Sequence, residues 1–351
     1  NMQLSSRSFG STRDGIPVEL YTLSNAAGME ADIATYGGAL VRLTAPDRDG
    51  GMADVVLGYD TLDGYLDDSC FFGRLVGRVA NRIGGAHMVL DGVEYELDRN
   101  NGRHHLHGGA GGFHSRVWKA EPIETSAGPA LALRYESPDG EQGYPGNLAV
   151  SAVYTMTDEG LRLDFSAATD KATAVNLTAH PYFNLSGRQG TDCLGHILTI
   201  PARRCLETDT ELIPSGCLSE VAGTPLDFTA GVAIGVRIRQ DFLPLANGHG
   251  YDHCYVLDRR TGLRPAASLV EPVSGRGLEV LTTQPCVQFY SGNFIPEGLP
   301  GKDGAVYGER SGLCLEPQGF VDAPGHAAFP DVTLLPGEAY RQTILYRFFV
   351  K

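Results

Sequence analysis

Leu148, Val150, Ala152, Tyr154 and Met156 share one face of a period-two run. Leu161, Leu163 and Phe165 repeat the pattern against Arg162, Asp164 and Ser166. Side chains on a strand point alternately to opposite faces, so each run reads as a half-buried strand. Asp158-Glu159-Gly160 between them supplies a short glycine-bearing turn and predicts a hairpin. Residues 340–350 form another β-rich run with polar residues on alternate positions, and 31–36, 40–44, 131–135 and 175–179 are further strand candidates. Long helical periodicity is absent, and the best helix candidate is a short one at 61–66. Many short strands punctuated by 45 glycines and 20 prolines predict an all-β sandwich or barrel.

All-β domains can run long, so the 351 residues are read as one domain, 1–351. The glycine-rich stretch 108–112 is flanked at once by aromatic and charged residues and reads as a tight loop inside that domain. Asn1 ahead of Met2 is expected to be a cloning remnant. Charge narrows the partners. A net charge of −14 repels phosphate backbones and anionic lipid, so neither nucleic acid nor a membrane surface is an expected partner. There is no apolar run of membrane-spanning length and no charged-then-apolar leader pattern at the N-terminus. Seven scattered cysteines, an odd number with no C-x-x-C pair, argue against a disulfide framework or zinc knuckle and for reduced thiols in a cytoplasm.

Four polar clusters interrupt these strand-like surroundings. They are Gly77-Arg78-Val79-Ala80-Asn81-Arg82-Ile83; Leu106-His107-Gly108-Gly109 with Gly112-Phe113 and Trp118; the run from Asn176 to Leu185 containing His180-Pro181-Tyr182; and a C-terminal group. That group holds Tyr251-Asp252-His253, the run from Thr282 to Tyr290 with Gln288, and Leu315-Glu316-Pro317-Gln318. Each has a plain structural reading: a hydrogen-bonded histidine, a turn-capping Glu316, a surface Asn81-Arg82 pair, a solvent-facing Gln288. The glycine loop lacks the Gly-Lys-Ser/Thr ending of a phosphate loop. His104, His105 and His107 invite a zinc reading, but a strand places only His105 and His107 on one face, without a third ligand at metal spacing, so no metal is expected. Together the clusters supply hydrogen-bonding groups of both polarities beside aromatic faces, which a sugar site needs, and one acid–base pair of His and Glu.

The stretch from Gly77 to Trp118 resembles the galactose mutarotase (aldose 1-epimerase) family. It carries Gly-Arg-x-Ala-Asn-Arg-Ile, then Leu90-Asp91-Gly92, Tyr95, Asn100-Asn101-Gly102, Leu-His-Gly-Gly and Gly-Phe before Trp. The His180 segment, Tyr251-Asp252-His253, Gln288 with Ser291-Gly292-Asn293-Phe294, and Leu315-Glu316-Pro317-Gln318 are similar to the family's remaining motifs, in family order. Ala179 before His180, where the family often carries Asn, and the His104-His105 pair before Leu106 are departures.

The resemblance implies a large antiparallel β-sandwich with few short helices. It implies an isomerase of hexose metabolism that interconverts the α and β anomers of a free aldohexose. Glu316 would be the base and His180 the acid. His107 would lie near the ring oxygen and C1, and Asn81, Arg82, Tyr182, Asp252 and Gln288 would hold hydroxyls. Opening and reclosing a hemiacetal moves only protons, so no cofactor is expected. The chemistry calls for ionised Glu316 and protonated His180, groups that ordinarily titrate near 4.3 and 6.5, with a neighbouring carboxylate expected to hold the imidazolium towards neutral pH. The expected partner is a free monosaccharide, and the expected state a monomer or homodimer. The alternatives are a hexose-6-phosphate 1-epimerase and a non-catalytic sugar-binding protein of the same fold.

Overall fold

The computed structural model describes residues 3–351, so the reading of Asn1 falls outside the described residues. The expected hairpin is there. Leu148–Met156 pairs antiparallel with Gly160–Thr169, with Met156 opposite Leu161, and the five apolar residues of its first strand are all buried. This hairpin lies within a nine-stranded antiparallel sheet. Gly128–Ser137 flanks it on one side and Tyr340–Val350 on the other. Arg276–Thr282 and Arg264–Val270 continue the sheet beyond Tyr340–Val350.

A five-stranded sheet faces it, in the order Pro214–Glu220, Arg204–Thr208, Asp252–Val256, Cys286–Tyr290, Cys314–Gln318. Its alternation explains both the sandwich and the site. Tyr255, Val287, Phe289 and Leu315 point to one face and join Leu163, Val280, Ile344 and Tyr346 of the larger sheet in one hydrophobic cluster. The residues between them point the other way. Cross-strand partners share a face, so the pairs Asp252↔Tyr290, Gln288↔Glu316 and Tyr290↔Cys314 put those five residues on the side away from the core.

A second five-stranded sheet, residues 4–54, contains the expected strands as Glu30–Ala34 and Leu40–Pro46 and contributes Leu23, Ile33 and Leu43 to the same core. The expected helix is Leu62–Leu66, with Thr61 at its N-cap.

Two expectations need correction. Residues 175–179 do not form a strand: Thr173–Ala174 pairs with Thr333–Leu334, Asn176 bridges to Val79, and Thr178–Ala179 pairs with Leu75–Val76. The segment is buried throughout, but it changes partner every two residues, so no ladder is sustained. A second helix, Leu243–Gly248, was not anticipated. It is one short turn opening on Pro244, too brief to show a 3.6-residue period.

Candidate active site

The polar face of the smaller sheet floors a cavity of about 380 Å³. Asn81, Arg82, His107, His180, Tyr182, Asp252 and Glu316 line it, as the sequence reading requires. Gln288 does not. It is buried, its Nε2 donates to Asp252 Oδ1 at 2.8 Å and its Oε1 accepts from Gln318 Nε2 at 3.4 Å. Its expected contact with a hydroxyl is therefore replaced by a contact with the aspartate, and its solvent-facing alternative fails as well. Tyr182 lines the cavity with its ring, but its hydroxyl donates to the Cys70 carbonyl at 2.7 Å, which leaves a packing surface rather than a free polar tip.

Local backbone chemistry brings His180 to Glu316. The Thr178 hydroxyl donates to the Pro317 carbonyl at 2.6 Å, which ties the two segments together. The His180 N–H donates to the Arg74 carbonyl, and the Gly73 N–H donates to the His180 carbonyl. As a result His180 Nε2 stands 3.3 Å from Glu316 Oε1. That buried oxygen has no hydrogen-bond partner in the protein. The imidazole is held flat between the rings of Phe71 and Tyr182, with centroids at 5.7 and 5.1 Å, and His107 meets it edge-on at 5.2 Å.

The opposite wall is a strained loop pair. Arg82–Ile83 pairs with His105–Leu106, and the residues flanking this ladder, Asn81 (φ +66°) and His107 (φ +49°), both adopt left-handed backbone, a cost that tends to concentrate at functional sites. The next residue must be glycine, because a Cβ on Gly108 would lie 1.9 Å from the Gly77 carbonyl oxygen. The Asn81 N–H donates to His107 Nδ1 at 2.9 Å. A backbone N–H can only donate, so Nδ1 is an acceptor and the proton of a neutral His107 sits on Nε2. Burial holds His107 neutral by pushing its pKa well down, and the charges of His180 and Arg82 act the same way. His107 therefore offers the cavity an N–H donor.

His107, His180 and Glu316 offer atoms within 4.8 Å of one another, a set that could hold a metal ion. The tautomer weakens it: the free nitrogen of His107 carries a proton and cannot also coordinate. The other histidines of that cluster are engaged elsewhere. His105 bonds to the Asp98 carbonyl and the Tyr144 hydroxyl, while His104 accepts from the Gly85 N–H and pairs with Glu211.

Protonation departs from the sequence expectation. Burial, reinforced by the charge of Asp252 and opposed by Arg82, pushes Glu316 well above the carboxylate range. Burial also lowers His180 to about 4. Desolvation outweighs the neighbouring carboxylate invoked to hold the imidazolium. Together the two groups carry one proton, which burial places on Glu316 when only protein surrounds them. Asp252 is also raised by burial, against Arg82 and the Gln288 hydrogen bond.

Sequence reasoning missed several lining residues. Phe294 stands more than half exposed at the mouth and stacks on Tyr290. Asn101 takes a hydrogen bond from Arg82 Nε at 3.2 Å. Both lie in motifs noted above, so a signal existed. Ser69, Cys70 and Phe71 had none.

Fold and site together define a β-sandwich with a buried glutamate and histidine side by side at a polar, aromatic-rimmed cavity on one sheet. Comparisons with known proteins place that class. The family profile described as Aldose 1-epimerase matches residues 19–347. The galactose mutarotases of Bos taurus and Homo sapiens are each 41% identical over 322 residues, 92% of either chain. The aldose 1-epimerase of Escherichia coli K12 is 36% identical over 339 residues, 95% of this chain and 96% of that one. Among solved structures, galactose 1-epimerase from Lactobacillus acidophilus aligns with a TM-score of 0.86 at 28% identity, covering 100% and 99% of the two chains. The chain belongs to the aldose 1-epimerase family and is an isomerase. Among the described residues no helix is long and apolar enough to cross a membrane.

Proposed function

We propose that this protein interconverts the α and β anomers of a free aldohexose, with Glu316 and His180 as the proton-transfer pair. The observation that carries the reading is the 3.3 Å approach of His180 Nε2 to a buried Glu316 oxygen with no hydrogen-bond partner. Glu316 takes the proton of the C1 hydroxyl while His180 gives one to the ring oxygen. The electron pair of the O1–H bond becomes the C=O bond, and the C1–O5 bond breaks with its pair going to O5. After rotation about C1–C2, closure on the other face returns both protons.

Arg82 and Asp252 supply a donor and an acceptor for hydroxyls, and Asn81 adds an amide. His107 Nε2–H stabilises negative charge building on a sugar oxygen. Gln288 acts by fixing Asp252. The exposed Phe294 face takes the sugar's C–H edge. Polarimetry on freshly dissolved α-D-galactose and α-D-glucose tests the reading: rotation should reach its equilibrium value faster with the protein than in buffer, and equal rates would dismiss it.

Among the described residues Arg82 is the one Arg or Lys lining the cavity. Arg103 in the neighbouring groove is paired with Glu211. A dianionic phosphate would therefore face Asp252 and Glu316 with little compensation, so free hexoses should turn over far better than their 6-phosphates. Equal kcat/KM on glucose 6-phosphate would favour the phosphosugar epimerase instead. Proton transfer alone suffices, so activity should survive exhaustive EDTA treatment. Loss on chelation that a divalent metal reverses would return the His107–His180–Glu316 set to consideration as ligands.

A further inference from the structure

Cys314 and Glu316 are two residues apart on the strand Cys314–Gln318, so both side chains leave the same face. Both meet the same imidazole. Glu316 Oε1 lies 3.3 Å from His180 Nε2, and Cys314 Sγ lies 3.4 Å from Nδ1. A single strand thus holds the ring by both nitrogens, while Phe71 and Tyr182 fix its plane. Cys314 is fully buried, and burial together with the charge of Glu316 pushes its thiol pKa far up, so it stays a neutral S–H.

We propose that Cys314 is a positioning residue for the acid–base pair, a neutral acceptor that keeps a proton on His180 Nδ1 so that Nε2 is the nitrogen that gives and takes one. Nδ1–H donates to the sulfur lone pair in the imidazolium and still does so after Nε2 has given up its proton, because a neutral imidazole keeps one N–H. No charge moves at this end of the ring, so the proton on Nε2 remains free to leave. A carboxylate at the same place would bind the imidazolium tightly and resist that loss. A thiol is a weak, uncharged acceptor, which orients the ring in either state without favouring the imidazolium.

The proposal rests on the acid–base reading of His180 and Glu316, and its test separates the two. Steady-state constants are measured for wild type, Cys314→Ala and Cys314→Ser, with a thermal melt on each. The serine hydroxyl can still accept the hydrogen bond from Nδ1–H; alanine removes it. Cys314→Ala should lower kcat about ten-fold with KM nearly constant, the size expected when one orienting hydrogen bond is lost. Cys314→Ser should recover kcat to within about three-fold of wild type, since a hydroxyl can fill the same acceptor role. Wild-type kcat in Cys314→Ala overturns the proposal and leaves the acid–base reading standing. Equal losses in both variants, or a loss confined to KM, overturn it in favour of a packing role. Full activity in Glu316→Gln would instead remove the reading beneath it.

Discussion

Replacing Glu316 with glutamine is expected to lower kcat by about 10²–10⁴-fold, the usual worth of a positioned general base. Glutamine keeps the shape and hydrogen-bonding reach of the side chain but cannot take the C1 proton. KM should change little, because Arg82, Asn81 and Asp252 remain. A group that acts only in the transition state lowers kcat and kcat/KM together.

Stability should move the other way. The carboxyl is buried, one of its oxygens has no hydrogen-bond partner, and its pKa is raised by burial. A raised carboxyl favours the fold below its unfolded pKa, and that contribution is lost as pH rises through the folded value. The wild type therefore carries a penalty at pH 8 that the neutral amide avoids. Glu316→Gln should melt above wild type at pH 8, and the gap should close as pH falls below the ordinary carboxylate range. Wild-type kcat in this variant would move the base elsewhere, with Asp252 next in line. A lower melting temperature at pH 8 would mean that Arg82 holds the carboxylate comfortably ionised.

The second large effect belongs to His180. His180→Asn removes the proton donor and should cost kcat a similar factor of about 10²–10⁴. Removing both residues should cost scarcely more than removing one, because a pair acting as a unit is strongly non-additive.

The pH profile gives a sharper signature. In the wild type the active form holds one proton between the two groups. It is lost on the acid side when a second proton binds, a step tied to His180 at about 4, and on the alkaline side when the shared proton leaves. In His180→Asn the remaining requirement is an ionised Glu316, whose pKa burial holds well above the carboxylate range. The acid limb of kcat/KM should therefore move to higher pH and the alkaline limb should vanish, turning a bell into a rising curve. An acid limb that stays in place or moves down would show that the two groups do not share a proton.

Alternation made the core strands legible. The run from Leu148 to Met156 has one face in the core, and it forms the expected hairpin with the strand that follows. Alternation also explains how Glu316 and Leu315 point to opposite sides. It failed at 175–179, where burial on all sides gives an apolar run without a sustained partner.

The sequence reading gave site roles to seven of the cavity's lining residues, but spacing carries no information about what stands in front of what. Gln288 shares the sheet face of Asp252 and Glu316, yet its amide is engaged by Asp252 and Gln318, which only the folded chain reveals. Phe71 covers His180 from a segment anchored by Asp68, which takes N–H donors from Cys70 and Phe72 and an ion pair from Arg74. That network closes only in three dimensions. The protonation states were the deepest gap: residue types name the pair, but only full burial shows that desolvation outweighs the neighbouring carboxylate.

Hemiacetal opening breaks O–H and C–O bonds and leaves every C–H bond intact, and this gives the most direct test. Proton exchange NMR on equilibrated galactose in deuterated water, with catalytic protein, reads both features at once. The expected result is exchange between the α and β anomeric signals well above the buffer rate, with no deuterium entering C1 or C2. Exchange no faster than buffer, or deuterium accumulating at C2, would contradict anomer interconversion by Glu316 and His180.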